Sequence, residues 1–258
     1  MSDNRKTVFI TGASRGIGEA VAKLFAHHGW YVGLYSPEVE QLAAISSGIG
    51  EEQSTYKFLD VRDKVSIDEA FAHFSAQTGG RLDVLVNNAG VLANGSFEQI
   101  DPIEHDKIID INIKGATHVL QSAFPLLKST SNSVVINLCS ASSIHGWPQL
   151  AVYSASKFYI DGLSEALNIE WSQYGIHVTS IKPPFVKSTM LDNMSFDASN
   201  KMTVDMTPEQ VANAILAAVD SDKVEHILGG DAKLWAFINK CMPRSLRRKI
   251  VRSKAGYV

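Results

Sequence analysis

Short apolar runs alternate with amphipathic stretches along most of this 258-residue chain. The runs at residues 7–11, 31–35, 54–59, 82–87, 133–138, 177–181 and 226–228 predict strands. Several are apolar almost throughout instead of at every second position, the pattern of parallel strands covered on both faces. Between them, residues 16–28, 38–45, 64–77, 104–127, 152–171 and 207–220 repeat apolar positions at helical spacing and predict helices. Such alternation predicts an α/β fold: a doubly wound parallel sheet of about seven strands, with helices on both faces. No repeat, low-complexity block or linker divides the sequence, which reads as one domain over residues 1–258.

Residues 187–206 break the rhythm, being far longer than an ordinary strand–helix connection. Four of the six methionines fall there: Met190, Met194, Met202 and Met206. Methionine adapts to irregular apolar shapes, so a lid over an apolar ligand is expected; a small helix packed on the core is the alternative.

With 45% hydrophobic residues the chain can bury a large core, which excludes intrinsic disorder. A charged fraction of 20% and a net charge of −3 make no overall case for nucleic acid. Cys139 and Cys241 are too few for a disulfide framework and lack metal-ligand spacing, so no metal is expected. The polar lead MSDNRK runs straight into a strand with no secretory h-region, and no apolar run approaches the ~20 residues that span a bilayer. A soluble protein of the reducing cytoplasm is expected. Charge is unevenly spread, however. After position 232 the chain has eight basic residues and no acidic one, leaving 16 of its 24 basic residues against all 27 acidic ones.

The first strand runs into Thr11-Gly12-Ala13-Ser14-Arg15-Gly16-Ile17-Gly18, which opens a helix. Backbone N–H groups at a helix start attract a pyrophosphate, and glycine lets the chain approach it closely. A tight turn alone would use the same residues, but their place after the first strand favours a dinucleotide. An acid that would hold a ribose 2′-hydroxyl is missing at Ser36, while Arg15 could pair with a 2′-phosphate. NADP(H) is therefore favoured over NAD(H). Glu38 opposes this only if it points inward; as an acid in a first helical turn it is expected in solvent. Asp60 and Val61 at the third strand's end could hold and cover the adenine, although Asp60 or Asp63 could instead be a helix N-cap. Asn87, Asn88, Ala89 and Gly90 suit a cofactor wall, or a plain turn.

The fifth strand delivers Ser140, and Tyr153 and Lys157 follow one helical turn apart, on one helix face. A free phenol has a pKa of about 10 and shuttles protons poorly at neutral pH. A neighbouring ammonium and an oxidised nicotinamide would favour phenolate. An isolated Tyr-x-x-x-Lys carries little weight; the serine at the preceding strand end gives it more. Cys139 is expected as a small core residue.

Together the glycine loop, residues 87–90, Ser140 and the Tyr153/Lys157 pair resemble the short-chain dehydrogenase/reductase family, in unbroken order over roughly residues 5–230. The resemblance implies a Rossmann-like fold and hydride transfer between a nicotinamide and a carbonyl or alcohol carbon. It implies that Ser140 bonds the substrate oxygen, that Tyr153 gives or takes its proton, and that Lys157 lowers the tyrosine pKa and holds the ribose. It adds Asn112, as the residue fixing a water between Lys157 and solvent, and cofactor contacts from Pro183, Val186 and Ser188. Pro184 stands where the family usually has glycine, which leaves the local loop geometry open. Similar members form dimers or tetramers through the helices at 104–127 and 152–171, so a homodimer or homotetramer is implied.

Candidate substrate walls include Val91, Leu92, Asn94, Ile144, His145, Trp147, Phe185, Met190 and Met194. They are mostly apolar and suit a hydrophobic ketone, aldehyde or alcohol. The basic tail at 232–258 either lies on an anionic membrane with Trp235 and Phe237 in the interface, or closes the fold with its cations balancing the acidic remainder. Pro243 interrupts it. Two readings outside catalysis remain: a nucleotide-sensing protein that has lost turnover, and a membrane-surface scaffold acting through this tail.

Overall fold

Seven strands, β1 (Thr7–Thr11), β2 (Tyr31–Ser36), β3 (Ser54–Phe58), β4 (Val84–Asn87), β5 (Val134–Leu138), β6 (His177–Lys182) and β7 (Glu225–Ile227), run parallel in one sheet. This is a computed structural model, and it describes residues 5–187 and 206–257. The strand order is β3-β2-β1-β4-β5-β6-β7. The chain therefore winds outward from β1 in one direction and continues from β4 in the other, leaving a crevice beyond the carboxyl ends of β1 and β4. Helices α1 (Gly16–His27), α2 (Val39–Ile49), α3 (Lys64–Thr78), α4 (Pro102–Ile108), α5 (Ala116–Ser129), α6 (Ala151–Ser172), α7 (Pro208–Val219), α8 (Gly230–Cys241) and α9 (Arg244–Lys254) cover and close the sheet.

The unbroken apolar runs follow from cover on both faces. Val8 and Ile10 of β1 enter one core with Phe25 of α1 and Ile215 of α7. Phe9 points the other way, into a core shared with α3 and α5, where it stacks on Tyr35 and Phe71 at 4.0 and 4.2 Å between centroids. All three side chains are buried, Phe9 and Tyr35 completely, and each such burial contributes about 1.5–3 kcal/mol.

Three elements differ from their expected bounds by more than one residue, each for a local reason. β4 begins at Val84 because the Asp83 carboxylate takes up the Thr7 N–H at 2.8 Å and the Arg81 guanidinium at 2.7 Å. α2 continues past Ser46, whose hydroxyl is buried against the Ser54 hydroxyl at 2.8 Å. The single helix expected at 104–127 is three pieces: α4, a π-helical turn at Ile109–Gly115, and α5. Asp101 starts α4 early by accepting from the Ile103 N–H, with Pro102 in the first turn. A Cβ at Gly115 would lie 2.7 Å from Val61 Cγ2, so glycine lets the helix close on the end of β3. In the tail, Pro243 interrupts the helix as expected: it stands between α8 and α9 and is the N-cap of α9. Among the described residues no helix is long and apolar enough to cross a membrane.

Candidate active site

A cavity of about 880 Å³ occupies the crevice at the carboxyl ends of the strands. At one end it is lined by Gly12, Ser14, Arg15, Gly16 and Ile17, where β1 turns into α1. Gly12 and Gly16 have φ of +65° and +58°, a left-handed backbone that glycine adopts without strain. Gly18 does not line the cavity. A Cβ on it would lie 2.1 Å from Gly12 O, so it lets α1 pack onto the loop that Gly12 forms. Asn88 lines the wall, but its amide donates to Thr11 O at 2.8 Å and Gly12 O at 3.1 Å, tying the end of β4 to the glycine loop. The Thr11 hydroxyl accepts from the Asn88 and Ala89 N–H groups, both at 2.9 Å.

Glu38 departs from expectation. It is no solvated helix acid: its carboxylate lines the cavity, accepts from the Ser14 hydroxyl at 2.9 Å and from the Ser36 hydroxyl, and lies 3.7 Å from Arg15. Burial alone would raise its pKa, but the bonds from Ser36 and Ser14 outweigh it and the carboxyl is held below its usual range. Ser36 and Arg15, on which the NADP(H) expectation rested, are together with Ser14 the groups around this carboxylate.

Asp60, Val61 and Leu59 form the next stretch of wall. Asp60 is clamped by Arg62 at 2.6–3.1 Å, which lowers its pKa, and the N-cap of α3 is Asp63.

At the other end, Ser140 follows β5 in an extended conformation and lines the cavity together with Tyr153, whose pKa it lowers. Ser140 Oγ also accepts from the Ser142 N–H at 3.1 Å. Tyr153 and Lys157 project from the first turns of α6, with Lys157 Nζ 5.6 Å from the tyrosine ring centre. The ammonium is buried and donates to Leu138 O at 2.8 Å. Burial pushes the Tyr153 phenol up to about 12, partly offset by the bond from Ser140, and burial lowers the Lys157 ammonium. With the protein's own groups alone, the phenol is thus less acidic than a free tyrosine. Cys139 is a buried core residue whose thiol donates to Lys157 O at 3.0 Å.

Asn112 lies behind the cavity wall, 2% exposed on the π-helical turn. Its Oδ1 accepts from the Val91 N–H at 2.8 Å, and its Nδ2 donates to Val91 O at 2.8 Å and Ser156 Oγ at 3.1 Å. Both amide protons are engaged. The side chain therefore fixes the loop after β4 to α6.

His145, Trp147, Phe185, Val91 and Leu92 line the substrate end, whereas Asn94 and Ile144 do not. Ser188, Met190 and Met194 lie outside the described residues. Pro183, Pro184 and Val186 line the wall, with every peptide trans, and Pro183 O accepts from the Ala141 N–H at 2.9 Å. The segment expected as a lid is anchored where it is described: Lys187 N–H donates to Met206 O at 2.9 Å. Sequence reasoning missed Asp231, Ala232 and Trp235 of α8, which close the substrate end. Trp235 meets His145 edge-on with ring centres 6.3 Å apart, so it faces inward and does not anchor to a membrane. Its signal was topological: the residues that follow β7 emerge at the same carboxyl edge as the other walls. Among the described residues no group of three or more His, Cys, Asp or Glu could hold a metal.

The family model for short chain dehydrogenases matches residues 6–199. The chain belongs to the short-chain dehydrogenase family. Among its relatives, "Oxidoreductase UcpA" of Salmonella typhimurium is 38% identical over 193 residues, 74% of this chain and 73% of that protein. UcpA of Escherichia coli K12 is 35% identical over 217 residues, 83% and 80% of the two chains. Among solved structures, the 3-ketoacyl-(acyl-carrier-protein) reductase of Brucella melitensis complexed with NADH aligns with a TM-score of 0.80 at 25% identity, covering 90% of this chain and 100% of that one. An alcohol dehydrogenase of Thermococcus sibiricus complexed with 5-hydroxy-NADP aligns with a TM-score of 0.78 at 26% identity, covering 87% and 96%. This short-chain dehydrogenase is accordingly an oxidoreductase with a Rossmann-like nucleotide-binding fold. Its own residues fit a dinucleotide: the cavity runs along the left-handed Gly12 and Gly16 to the start of α1, at the switch between β1 and β4.

Proposed function

We propose that this protein interconverts a carbonyl and an alcohol on an apolar substrate, with Tyr153 as general acid and base. A nicotinamide dinucleotide, when bound, supplies or takes up the hydride. The observation that carries the proposal is that Ser140, Tyr153 and Lys157 line one cavity wall, with the Lys157 ammonium 5.6 Å from the tyrosine ring centre. Two hydroxyl donors can then converge on one substrate oxygen, and charge developing there is stabilised by groups already in place. Tyr153, held protonated by burial, passes its proton to that oxygen in reduction and recovers it in oxidation. Lys157, next to Gly90, holds the ribose edge and keeps positive charge near the phenol. Asn112 is a positioning residue that holds Gly90–Val91 against α6.

For the cofactor, the inward Glu38 moves the proposal from NADP(H) to NAD(H). An ionised carboxylate bonded by Ser14 and Ser36 can accept from a ribose 2′-hydroxyl, whereas a 2′-phosphate would meet it as a like charge. The walls Val91, Leu92, Trp147, Phe185 and Trp235 suit a hydrophobic carbonyl compound. Exposed Phe158 and Tyr159 on α6 suit a subunit contact in a homodimer or homotetramer.

The test is a panel of ketones, aldehydes and alcohols, from short aliphatics to steroids, assayed with NADH and NADPH or their oxidised forms. Turnover of apolar members is expected. Tight cofactor binding with no turnover of any member would instead mean a nucleotide-binding protein without catalysis.

A further inference from the structure

α8 has two faces of opposite use. Ala232 and Trp235 point into the cavity, and Asn239 Nδ2 donates to Ile144 O at 2.8 Å, so this face is a wall of the substrate end. The other face exposes Leu234 and Phe237, at 59% and 66%, flanked by exposed Lys233 and Lys240. α9 is held to it by a bond from Arg247 to Asn239 Oδ1 at 2.5 Å and by buried Val251, which leaves Arg244, Leu246, Arg248 and Lys249 turned outward.

Folding alone does not account for this charge. If the tail's cations balanced the acidic body, they would reach its carboxylates. Lys240 does so, 3.5 Å from Glu225, but among the described residues Arg244, Arg248 and Lys249 have no carboxylate in ion-pairing range. An apolar patch flanked by Lys233 and Lys240 and adjoined by the cations of α9, on a segment with no acidic residue after position 232, is complementary to a surface that is apolar within and anionic outside.

We propose that the outer face of α8 and α9 docks this protein on an anionic lipid bilayer, with Leu234 and Phe237 entering the interface and the cations meeting the headgroups. The same helix is then a membrane contact on one side and a substrate wall on the other, which places the apolar end of the cavity beside a reservoir of lipophilic carbonyl compounds. That last consequence rests on the reaction proposed above; the docking does not.

The full-length protein is mixed with phosphatidylcholine vesicles, with and without phosphatidylglycerol, and sedimented at low and high salt. Binding is expected only with phosphatidylglycerol and is expected to weaken with salt. Each cation near an anionic surface strengthens binding about fivefold, so Arg248→Gln with Lys249→Gln should weaken it about 25-fold. Leu234→Ser with Phe237→Ser should also release the protein, while turnover of a water-soluble ketone without vesicles stays at the wild-type level. Absence of binding to the anionic vesicles, or binding that neither double variant weakens, overturns the proposal. So does light scattering in which Leu234→Ser with Phe237→Ser splits a lipid-free oligomer, since the face would then be a contact between copies of this chain. A failure of the substrate panel alone leaves the vesicle result standing, so the two proposals fail separately.

Discussion

Lys157 Nζ lies 5.6 Å from the centre of the Tyr153 ring, yet it donates its hydrogen bond to Leu138 O and not to the phenol. The cation is held close to the phenol by the end of β5, the strand that also delivers Ser140. Burial raises the phenol to about 12, and in the reaction proposed above the ammonium acts on it through its field and not through a direct bond.

Tyr153→Phe should lower turnover by about 10²–10⁴-fold and leave the NADH dissociation constant nearly unchanged, because the ring that lines the cavity is retained. The pH dependence has a definite sign. A raised pKa keeps the phenol protonated across the neutral range, so carbonyl reduction should be flat there. Alcohol oxidation needs the deprotonated form and should rise about tenfold per pH unit on the acid side of that pKa. Rate profiles in both directions check this, and an oxidation rate independent of pH would assign the proton to another group.

Glu38→Gln should shift cofactor choice toward NADP(H). The carboxylate bonded by Ser14 and Ser36 becomes a neutral amide, and Arg15, 3.7 Å away and 68% exposed, is released toward an incoming phosphate. Removing a like charge beside a 2′-phosphate in a partly exposed site is worth about 1–2 kcal/mol, or roughly a tenfold change in the NADPH-to-NADH affinity ratio. Fluorescence titration with both cofactors measures it. An unchanged ratio would place the 2′ position elsewhere in the cavity.

The strands and the chemical end were legible because their signals are local. Apolar runs on doubly covered strands and a four-residue Tyr153–Lys157 spacing need no knowledge of distant contacts. The direction of Glu38 was not legible, since it depends on two hydroxyls, 2 and 24 residues away, that only the β1–β2 pairing brings together. Asn112 was found by family resemblance alone, because a π-helical turn has no distinct residue pattern and was hidden inside an amphipathic run. Trp235 was misread because an aromatic beside cations looks the same whether it faces lipid or a cavity.

Gly18→Ala should destabilise the fold even though Gly18 contacts no ligand surface. The added methyl would sit 2.1 Å from Gly12 O and 2.9 Å from Asn88 Nδ2, so both the glycine loop and its tie to β4 must move. Overpacking of this kind costs about 1–3 kcal/mol, which in a chain of this length lowers Tm by about 2–4 °C per kcal/mol. Differential scanning calorimetry, with and without NADH, reads both effects. A wild-type Tm with weakened NADH binding would mean that the residue acts on the cofactor and not on packing.

Asn112→Ala tests whether the amide positions the site or touches it. The substitution leaves the Val91 N–H and C=O without their partners at 2.8 Å and frees Ser156 on α6. Leaving such buried groups unpaired costs about 1–3 kcal/mol in stability. The loop carrying Gly90 would then shift relative to Tyr153 and Lys157, and a displacement of that kind lowers kcat far more than it raises KM for the carbonyl substrate. Ser156→Ala removes one of the three bonds and keeps the pairing with Val91, so it should show a small fraction of both effects. If Asn112→Ala retained wild-type Tm while losing turnover, the amide would be acting on the reacting groups themselves, and its place behind the wall would need another explanation. If it lost stability with kcat intact, the Val91 tether would matter to the fold alone.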